Sequence, residues 1–250
     1  MNYDKLAFDI DRWLKDYYYM YAIKAFVVGV SGGIDSAVVS TLCAKTELPT
    51  YVLTMPLHSK EGNTELSDLH AYQLVEKYSN VTLVNVDLSD TYDVFMTRVD
   101  DTFCRSDLAN ANTKSRLRMV TLYQIAGSVG GIVVGTGNKV EDYGVGFFTK
   151  YGDGGVDIAP IADIYKTQVW ELGRHLGVDE RIINATPTDG LWEDGRTDEG
   201  QLGASYEQLE EAMEHGTGPA LDILEEFNTK NKHKMEPIPT FKLEKHYANS

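Results

Sequence analysis

The 250-residue chain has the pattern of an α/β fold, a doubly wound open parallel sheet flanked by helices. Three observations point there. Short, valine-rich apolar runs such as "AFVVGV" from Ala25 have the composition of strands covered on both faces of a parallel sheet. The segments between them repeat apolar residues every three to four positions, the spacing of one face of an α-helix. Run and helical segment then alternate through the first 135 residues, as strand–helix–strand crossovers between parallel neighbours require.

Residues 3 to 20 open the chain as an amphipathic helix, with Leu6, Phe8, Ile10, Trp13, Leu14 and Tyr17 at helical spacings. The first strand follows at "AFVVGV", and residues 36 to 46 return to the helical period. "TYVLTMP" from Thr50 reads as the second strand, residues 64 to 79 as a crossover helix and "VTLVNVDL" from Val81 as the third strand. A longer helical period, roughly 108 to 129, leads into "GIVVGTG" from Gly131, the fourth. Beyond Gly135 the composition shifts to glycine and acid, and "GTGNKVEDYGVGFFTKYGDGGVDIAP" is expected to be a long irregular stretch. Loops of that length are functional or disordered, and the aromatics in this one favour order. "DIYKTQVWELGRHLG" is helix-like, and the polar "PTDGLWEDGRTDEG" from Pro187 is expected to be a mobile loop. Residues 205 to 230 look helical, while Pro237 and Pro239 predict an irregular tail from Lys232. With 42% hydrophobic residues the chain is expected to form one domain, 1–250.

Composition excludes several function classes. No apolar run reaches the roughly 18 residues of a bilayer span, and "MNYDKLAFDIDRW" is acidic where a secretory leader is basic, so a cytoplasmic protein is expected. Cys43 and Cys104 lie far apart without CxxC spacing, which argues against a disulfide framework or a zinc site. The six histidines show neither HxxxH nor HExxH. A formal charge of −15, from 23 basic and 38 acidic side chains, disfavours nucleic acid and anionic membranes as partners. Small anions are still accessible ligands, because main-chain amides, a few cations and a divalent metal can invert the potential inside a cleft.

The first strand runs into "SGGIDS", Ser31 to Ser36. A glycine-rich strand-to-helix turn at the carboxyl edge of a parallel sheet exposes N–H groups at the positive end of a helix dipole, which is a cradle for an anion. Gly32 and Gly33 let backbone approach a phosphate without a Cβ in the way, and Ser31 and Ser36 add hydroxyl donors. Asp35 would repel a phosphate unless a divalent cation bridged them, which points to Mg²⁺. An ordinary turn and helix cap use the same residue types. The apolar strand before the turn, the helical period after it and Asp35 favour the phosphate reading. The chain lacks GxxxxGK[ST] and GxGxxG at this turn, so γ-phosphoryl transfer and dinucleotide redox chemistry lose support.

These residues resemble a known family. SGGIDS after an apolar strand is similar to the pyrophosphate loop of the N-type ATP pyrophosphatases, which have an adenine nucleotide alpha hydrolase-like, Rossmann-like fold. "GTGNKVE" from Gly135, "GFFTKYGDGGVDIAPI" from Gly146, "KTQV" from Lys166 and "TPTDGLW" from Thr186 resemble ammonia-dependent NAD synthetase, from about residue 5 to about residue 236. The resemblance implies a cytoplasmic C–N ligase for the last step of NAD biosynthesis. In it the nicotinate carboxylate of deamido-NAD takes AMP from ATP, pyrophosphate leaves, and ammonia displaces AMP to give NAD. Another ATP pyrophosphatase, adenylating a different substrate, is the alternative.

By the same resemblance ATP is bound by Gly29, Val30, Ser31, Gly32, Gly33, Ile34, Asp35 and Ser36, with Thr136, Lys166 and Thr188. Arg116, Lys150, Asp157, His233 and Lys234 correspond to deamido-NAD contacts, and Asp153 and Asn112 lie close to that site. Asp35 and Lys166 are the catalytic positions, and Mg²⁺ is held by Asp35 and Glu141. The family pattern has eight steps from that glutamate to the lysine of FFTK, against nine from Glu141 to Lys150, so Asp142 is an alternative ligand. The resemblance further implies a homodimer, no glutaminase domain, and ammonia that is free or supplied by a separate partner. Without it, Lys166 reads as a solvated helix-face lysine, and Phe147 and Phe148 as either a small loop core or a stacking platform. His233 reads as tail decoration, and Lys114, Arg116 and Arg118, near a predicted helix start, hint at an anionic partner.

Overall fold

The computed structural model describes residues 1–58, 61–99, 106–192 and 194–243, with residues 61–63 described in their backbone alone. Cys104 lies outside the described residues. Four strands, β1 (Phe26–Gly29), β2 (Thr50–Thr54), β3 (Val81–Asn85) and β4 (Ile132–Val133), form one sheet in the order β3-β2-β1-β4. Every pairing is parallel, with Phe26 opposite both Thr50 and Ile132. The chain therefore winds outward from β1 in both directions, and the carboxyl ends of β1 and β4 mark the switch point where such sheets bind ligands.

Helices cover both faces, as the apolar runs predict. Phe26, Val27 and Val28 of β1 are fully buried. Phe26 and Val28 pack with α1 (Tyr3–Met20), α2 (Ile34–Lys45) and α6 (Lys166–Leu176). Val27 points the other way, into a cluster with Leu53, Val133 and the apolar side of α5 (Asp107–Val129). Buried on all sides, α2 encloses ten of its twelve residues, and its Ser40 and Thr41 hydroxyls satisfy themselves on Ser36 and Ala37 carbonyls one turn back. α3 (Glu61–Lys77) covers β2 and β3.

Departures from the sequence reading fall where amphipathic signals are weak. α4 (Ser89–Arg98), which the pattern does not announce, contains no buried residue and leaves Val94 and Phe95 exposed. The segment expected as one helix from 205 to 230 is two, α9 (Tyr206–His215) and α10 (Leu221–Met235), separated after Gly216 takes the left-handed conformation at φ 63°. α10 continues to Met235, into the tail expected to be irregular, and stops two residues before Pro237. Short helices α7 (Glu180–Ile183) and α8 (Asp198–Leu202) precede this pair. Inside the stretch expected to be irregular lies a π-helical turn, Val140–Val145. It packs with α8, α9 and α10 in a separate apolar cluster containing Val140, Val145, Leu202, Tyr206 and Leu209. Trp170 of α6 touches both that cluster and the main core.

His70 of α3 sits 3% exposed with Nε2 3.0 Å from the Ser40 hydroxyl. Burial pushes its imidazolium down to about 4. The unfolded chain takes up this proton near pH 6.5, so the stability from the neutral ring is present above that pH and is lost as pH falls toward 4, with a slope of at most ~1.4 kcal/mol per pH unit. Urea unfolding between pH 7 and 4.5 should show this loss, and His70→Gln should flatten the profile over that window.

Candidate active site

The polypeptide leaves β1 at Gly29 and turns into α2 through Ser31, Gly32 and Gly33. Gly32 has φ 86°, a region that costs a side chain about 1–2 kcal/mol, so the turn needs glycine there. The turn is braced by its own hydroxyls: Ser31 N–H donates to Ser36 Oγ at 3.1 Å, Gly33 N–H to Ser31 Oγ at 3.3 Å, and Ser36 Oγ–H to the Gly33 carbonyl at 3.0 Å. Gly33 is the N-cap residue and no side chain caps it, which leaves first-turn N–H groups of a twelve-residue helix available to an anion. Val30 and Ile34 are buried in the core clusters and offer the site only their backbone.

Asp35 opens into a buried polar group at the β1/β4 switch point. Lys166, the first residue of α6, places its ammonium 2.5 Å from Asp35 Oδ2 and 3.1 Å from Glu141 Oε1. The lysine side chain is 3% exposed and each carboxylate 16%. Burial opposes the lysine charge, but the two carboxylates outweigh it and hold the ammonium protonated well above its ordinary range. Asn138, fully buried, donates to Asp35 Oδ1 at 3.1 Å while its own oxygen accepts the Val140 and Glu141 N–H groups at 3.1 and 3.2 Å. One side chain thus starts the π-helical turn and ties it to α2. Tyr206 donates its hydroxyl to Glu141 Oε1 at 2.7 Å and sets its ring centroid 4.8 Å from the Lys166 ammonium.

Acid is in excess here. Burial and the nearby Glu141 charge push Asp198 up to about 7, and the same two causes act on Asp142, also raised to about 7. The Asp142 carboxylate lies against Gly137, where any Cβ would collide with it. The one buried ammonium therefore meets Asp35 and Glu141 directly and feels the charge of Asp198, while Asp142 beside them is turned onto Gly137. Hard oxygen donors with uncompensated charge are what a divalent cation such as Mg²⁺ takes up together with phosphate oxygens. Asp35 and Glu141 converge on the one ammonium.

A second group lies where α5, the 147–157 loop and the end of α10 meet. Arg116 donates to the Lys150 carbonyl at 3.3 and 3.4 Å, the Lys150 ammonium donates to the His233 carbonyl at 2.8 Å, and Lys234 donates to the Phe148 carbonyl at 2.8 Å. Asp153 accepts from the Ser115 hydroxyl at 2.6 Å and from Thr149 N–H at 3.0 Å, while Asn112 accepts from the Thr149 hydroxyl at 2.6 Å. Arg116, Lys150, His233 and Lys234 are thus gathered, although His233 contributes its backbone and its ring is exposed. Asp157 is used differently: its carboxylate accepts the Val133 N–H at 2.8 Å and the Tyr123 hydroxyl at 3.1 Å, closing the free edge of β4. Thr136 lies half-buried just past β4. Thr188 is exposed and its hydroxyl is engaged within its own loop, with Arg196 and Gly190.

One reading needs correction, and one open alternative resolves. α5 begins at Asp107, capped by Ser106, so Lys114, Arg116 and Arg118 lie in its second to fourth turns and gain no argument from the helix dipole. Phe147 belongs to the cluster around Tyr206, and Phe148 carries the Lys234 ammonium 5.0 Å from its ring centre. Sequence reading missed Asn138, Asp198 and Tyr206. Asn138 stands inside the quoted GTGNKVE motif, whereas a tyrosine opening an amphipathic helix is indistinguishable by pattern from any core aromatic.

A parallel sheet with a glycine-rich, uncapped strand-to-helix turn at its switch point, backed by a buried Asp–Lys–Glu group, defines a protein of the adenine nucleotide alpha hydrolase-like fold. The model of the NAD synthase family matches residues 6–246, and the chain belongs to that family. The NH(3)-dependent NAD(+) synthetase of Finegoldia magna is 35% identical over 98% of this chain and 99% of its own length. Among solved structures, NMN synthetase from Francisella tularensis superposes with a TM-score of 0.90 at 31% identity, covering 97% of this chain and 100% of that one. NAD+ synthetase from Burkholderia pseudomallei gives 0.74 at 26% identity, covering 94% and 90%.

The ion pair itself can be tested by stability. Lys166→Met should destabilise the protein by about 3 kcal/mol in urea unfolding at pH 7, because it strands buried carboxylates, and adding Asp35→Asn should recover more than half of that loss.

Proposed function

We propose that this protein is a C–N ligase that amidates deamido-NAD with ammonia and ATP, giving NAD, AMP and pyrophosphate in the last step of NAD biosynthesis. The observation that carries this reading is the meeting of the uncapped SGGIDS turn with the Asp35–Lys166–Glu141 group in a chain of the NAD synthase family. In the first step an oxygen of the nicotinate carboxylate bonds to the α-phosphorus as the bond to pyrophosphate breaks. In the second the nitrogen of ammonia bonds to the acyl carbon, AMP leaves with the C–O electron pair, and nitrogen gives up a proton.

Gly29 through Ser36 hold the phosphates through N–H groups and the Ser31 and Ser36 hydroxyls, with Thr136 and Thr188 as further ATP contacts. Asp35 and Glu141 would hold Mg²⁺, and the excess of buried carboxylate around Lys166 supports that fit. Bound there, the ion would neutralise phosphate charge. Lys166, released from its two carboxylates, offers a point charge to the negative charge that builds on the departing pyrophosphate. Arg116, Lys150, Asp157, His233 and Lys234, with Asn112 and Asp153 beside them, bind and orient the dinucleotide so that its carboxylate meets the α-phosphate. We extend the reading to a cytoplasmic homodimer of single-domain chains using free ammonia. Among the described residues no helix is long and apolar enough to cross a membrane.

The structural likeness to an NMN synthetase, closer than to the Burkholderia NAD+ synthetase, favours one second reading. Nicotinate mononucleotide carries the same reacting carboxylate and lacks only the adenylate half. Purified protein with Mg²⁺, ATP, ammonium and each acceptor in turn should release AMP and pyrophosphate in equal amounts with the amide, faster with deamido-NAD. ADP as product rejects the mechanism, and turnover at least about tenfold faster on the mononucleotide transfers the assignment to it.

The metal ligand can be settled by substitution. Glu141→Gln should raise the Mg²⁺ concentration for half-maximal rate at least about tenfold, with Asp142→Asn within about threefold of the parent. The opposite pattern moves the ligand to Asp142.

A further inference from the structure

We infer that one face of α9 is the positioning element of the site: Tyr206 orients the metal-binding carboxylate of Glu141, and Glu210, one turn on, anchors the helix end that presents Lys166. This rests on the metal and nucleotide roles proposed above. The two residues are four apart and so share a face of the helix.

Tyr206 is completely buried, and of its two ends only the hydroxyl is polar. That hydroxyl meets Glu141 at 2.7 Å, on the same oxygen that faces Lys166 at 3.1 Å, so Oε1 is held from two sides. The ring is fixed in turn by an edge-on contact with Trp170, centroids 5.9 Å apart, and by the surrounding apolar cluster. A buried phenol with no freedom of its own can transmit orientation to the carboxylate it touches. Glu210 is 9% exposed and accepts from the Thr167 N–H at 3.0 Å and the Thr167 hydroxyl at 2.6 Å. It therefore caps the first turn of α6 from another helix, placing negative charge at the positive end of that dipole, next to Lys166. The base of α9 is itself secured by a reciprocal cap, Ser205 with Gln208, at 3.3 and 3.1 Å. α9 thus meets the acid Glu141 through Tyr206 and, through Glu210, the residue that follows the base Lys166.

The two anchors predict separable defects. Tyr206→Phe keeps the ring and its packing and removes one donor to Glu141. Glu210→Gln keeps the shape and weakens the cap on α6. Free Mn²⁺ followed by electron paramagnetic resonance, in the presence of α,β-methylene-ATP, reads metal affinity without any acceptor or turnover. Titration of the same analogue at saturating Mn²⁺ reads nucleotide affinity. Tyr206→Phe should weaken Mn²⁺ about tenfold, the scale of losing an outer partner of a ligand, and leave nucleotide affinity at saturating metal within about twofold. Glu210→Gln should do the reverse, weakening the nucleotide about fivefold with Mn²⁺ within about twofold of the parent. Far-ultraviolet circular dichroism and unfolding curves accompany both. Parent-like Mn²⁺ affinity in folded Tyr206→Phe overturns the inference, as does an identical defect in the two variants. Should Tyr206→Phe fail to fold, Tyr206→Trp and the Glu210→Gln nucleotide titration decide it, and parent-like nucleotide affinity in the latter overturns it. A wrong acceptor assignment moves neither measurement, whereas failure of the metal reading shows as Mn²⁺ affinity unaltered by Asp35→Asn.

Discussion

A single ammonium ion, buried and shared between two carboxylates from different parts of the fold, is the constraint on which this structure turns. Lys166 at 3% exposure can stay charged only because Asp35 and Glu141 reach it, and those residues stand 131 and 25 positions away in the chain. A charge so enclosed costs several kcal/mol in desolvation, which is recovered only if the geometry of its partners is held tightly. Much of the surrounding architecture can be understood as holding that geometry. Asn138 ties the turn that carries Glu141 to α2, Glu210 caps the turn that carries Lys166, and the α9–α10 pair packs behind both. Such an arrangement suits a site whose resident cation can be exchanged for another. Lys166 balances the two acids here, and under the proposed function Asp35 and Glu141 would hold a divalent ion and leave the lysine charge to phosphate.

The proposed function has a protein of net charge −15 receive a polyanion, which requires local cations and main-chain donors. Apart from the buried acids around Lys166, the region between α5, the 147–157 loop and α10 collects Arg116, Lys150 and Lys234, each donating to backbone carbonyls rather than to acids. Charges satisfied by carbonyl dipoles keep most of their field, so an approaching phosphate or carboxylate still feels them. At the SGGIDS turn attraction comes from N–H groups and a helix dipole, which carry no formal charge at all.

Legibility followed the physics of burial. β1 was readable because its residues are covered on both faces and so form a continuous apolar run, and α1 and α5 because each turns one stripe inward. α4 was not readable: with none of its residues buried, it has no stripe to read. The SGGIDS turn was legible as a strand-to-helix turn because an apolar run precedes it and a helical period follows, whereas its residue types alone serve an ordinary turn and cap equally well. Lys166 could not, because one lysine looks like another until the fold closes around it, and only resemblance singled it out. Asn138 and Tyr206 escaped for a related reason. Their importance lies in partners distant in sequence, Asp35 for the first and Glu141 for the second, and periodicity carries no information about such pairs.

The segment from Glu141 to Lys150, one residue longer than the resemblance leads one to expect, begins in a π-helical turn. A π-helical turn closes i→i+5 rather than i→i+4, and so stores one more residue over the same rise than an α-helical turn does. Val140–Val145 is such a turn, ending where Gly146, at φ 61°, returns its N–H to the Glu141 carbonyl five residues back. Glu141 has its backbone bond to Asn138 and its carboxylate toward Lys166, while Asp142 is turned onto Gly137, where a Cβ would meet its carboxylate. The ambiguity that spacing raised between two adjacent acids is thereby a difference of direction: one faces the ammonium, the other the glycine. That the bulge occurs beside the most highly charged buried group in the molecule, and not in one of the surface loops that could take an extra residue at less expense, suits a segment whose irregular backbone serves to aim one carboxylate.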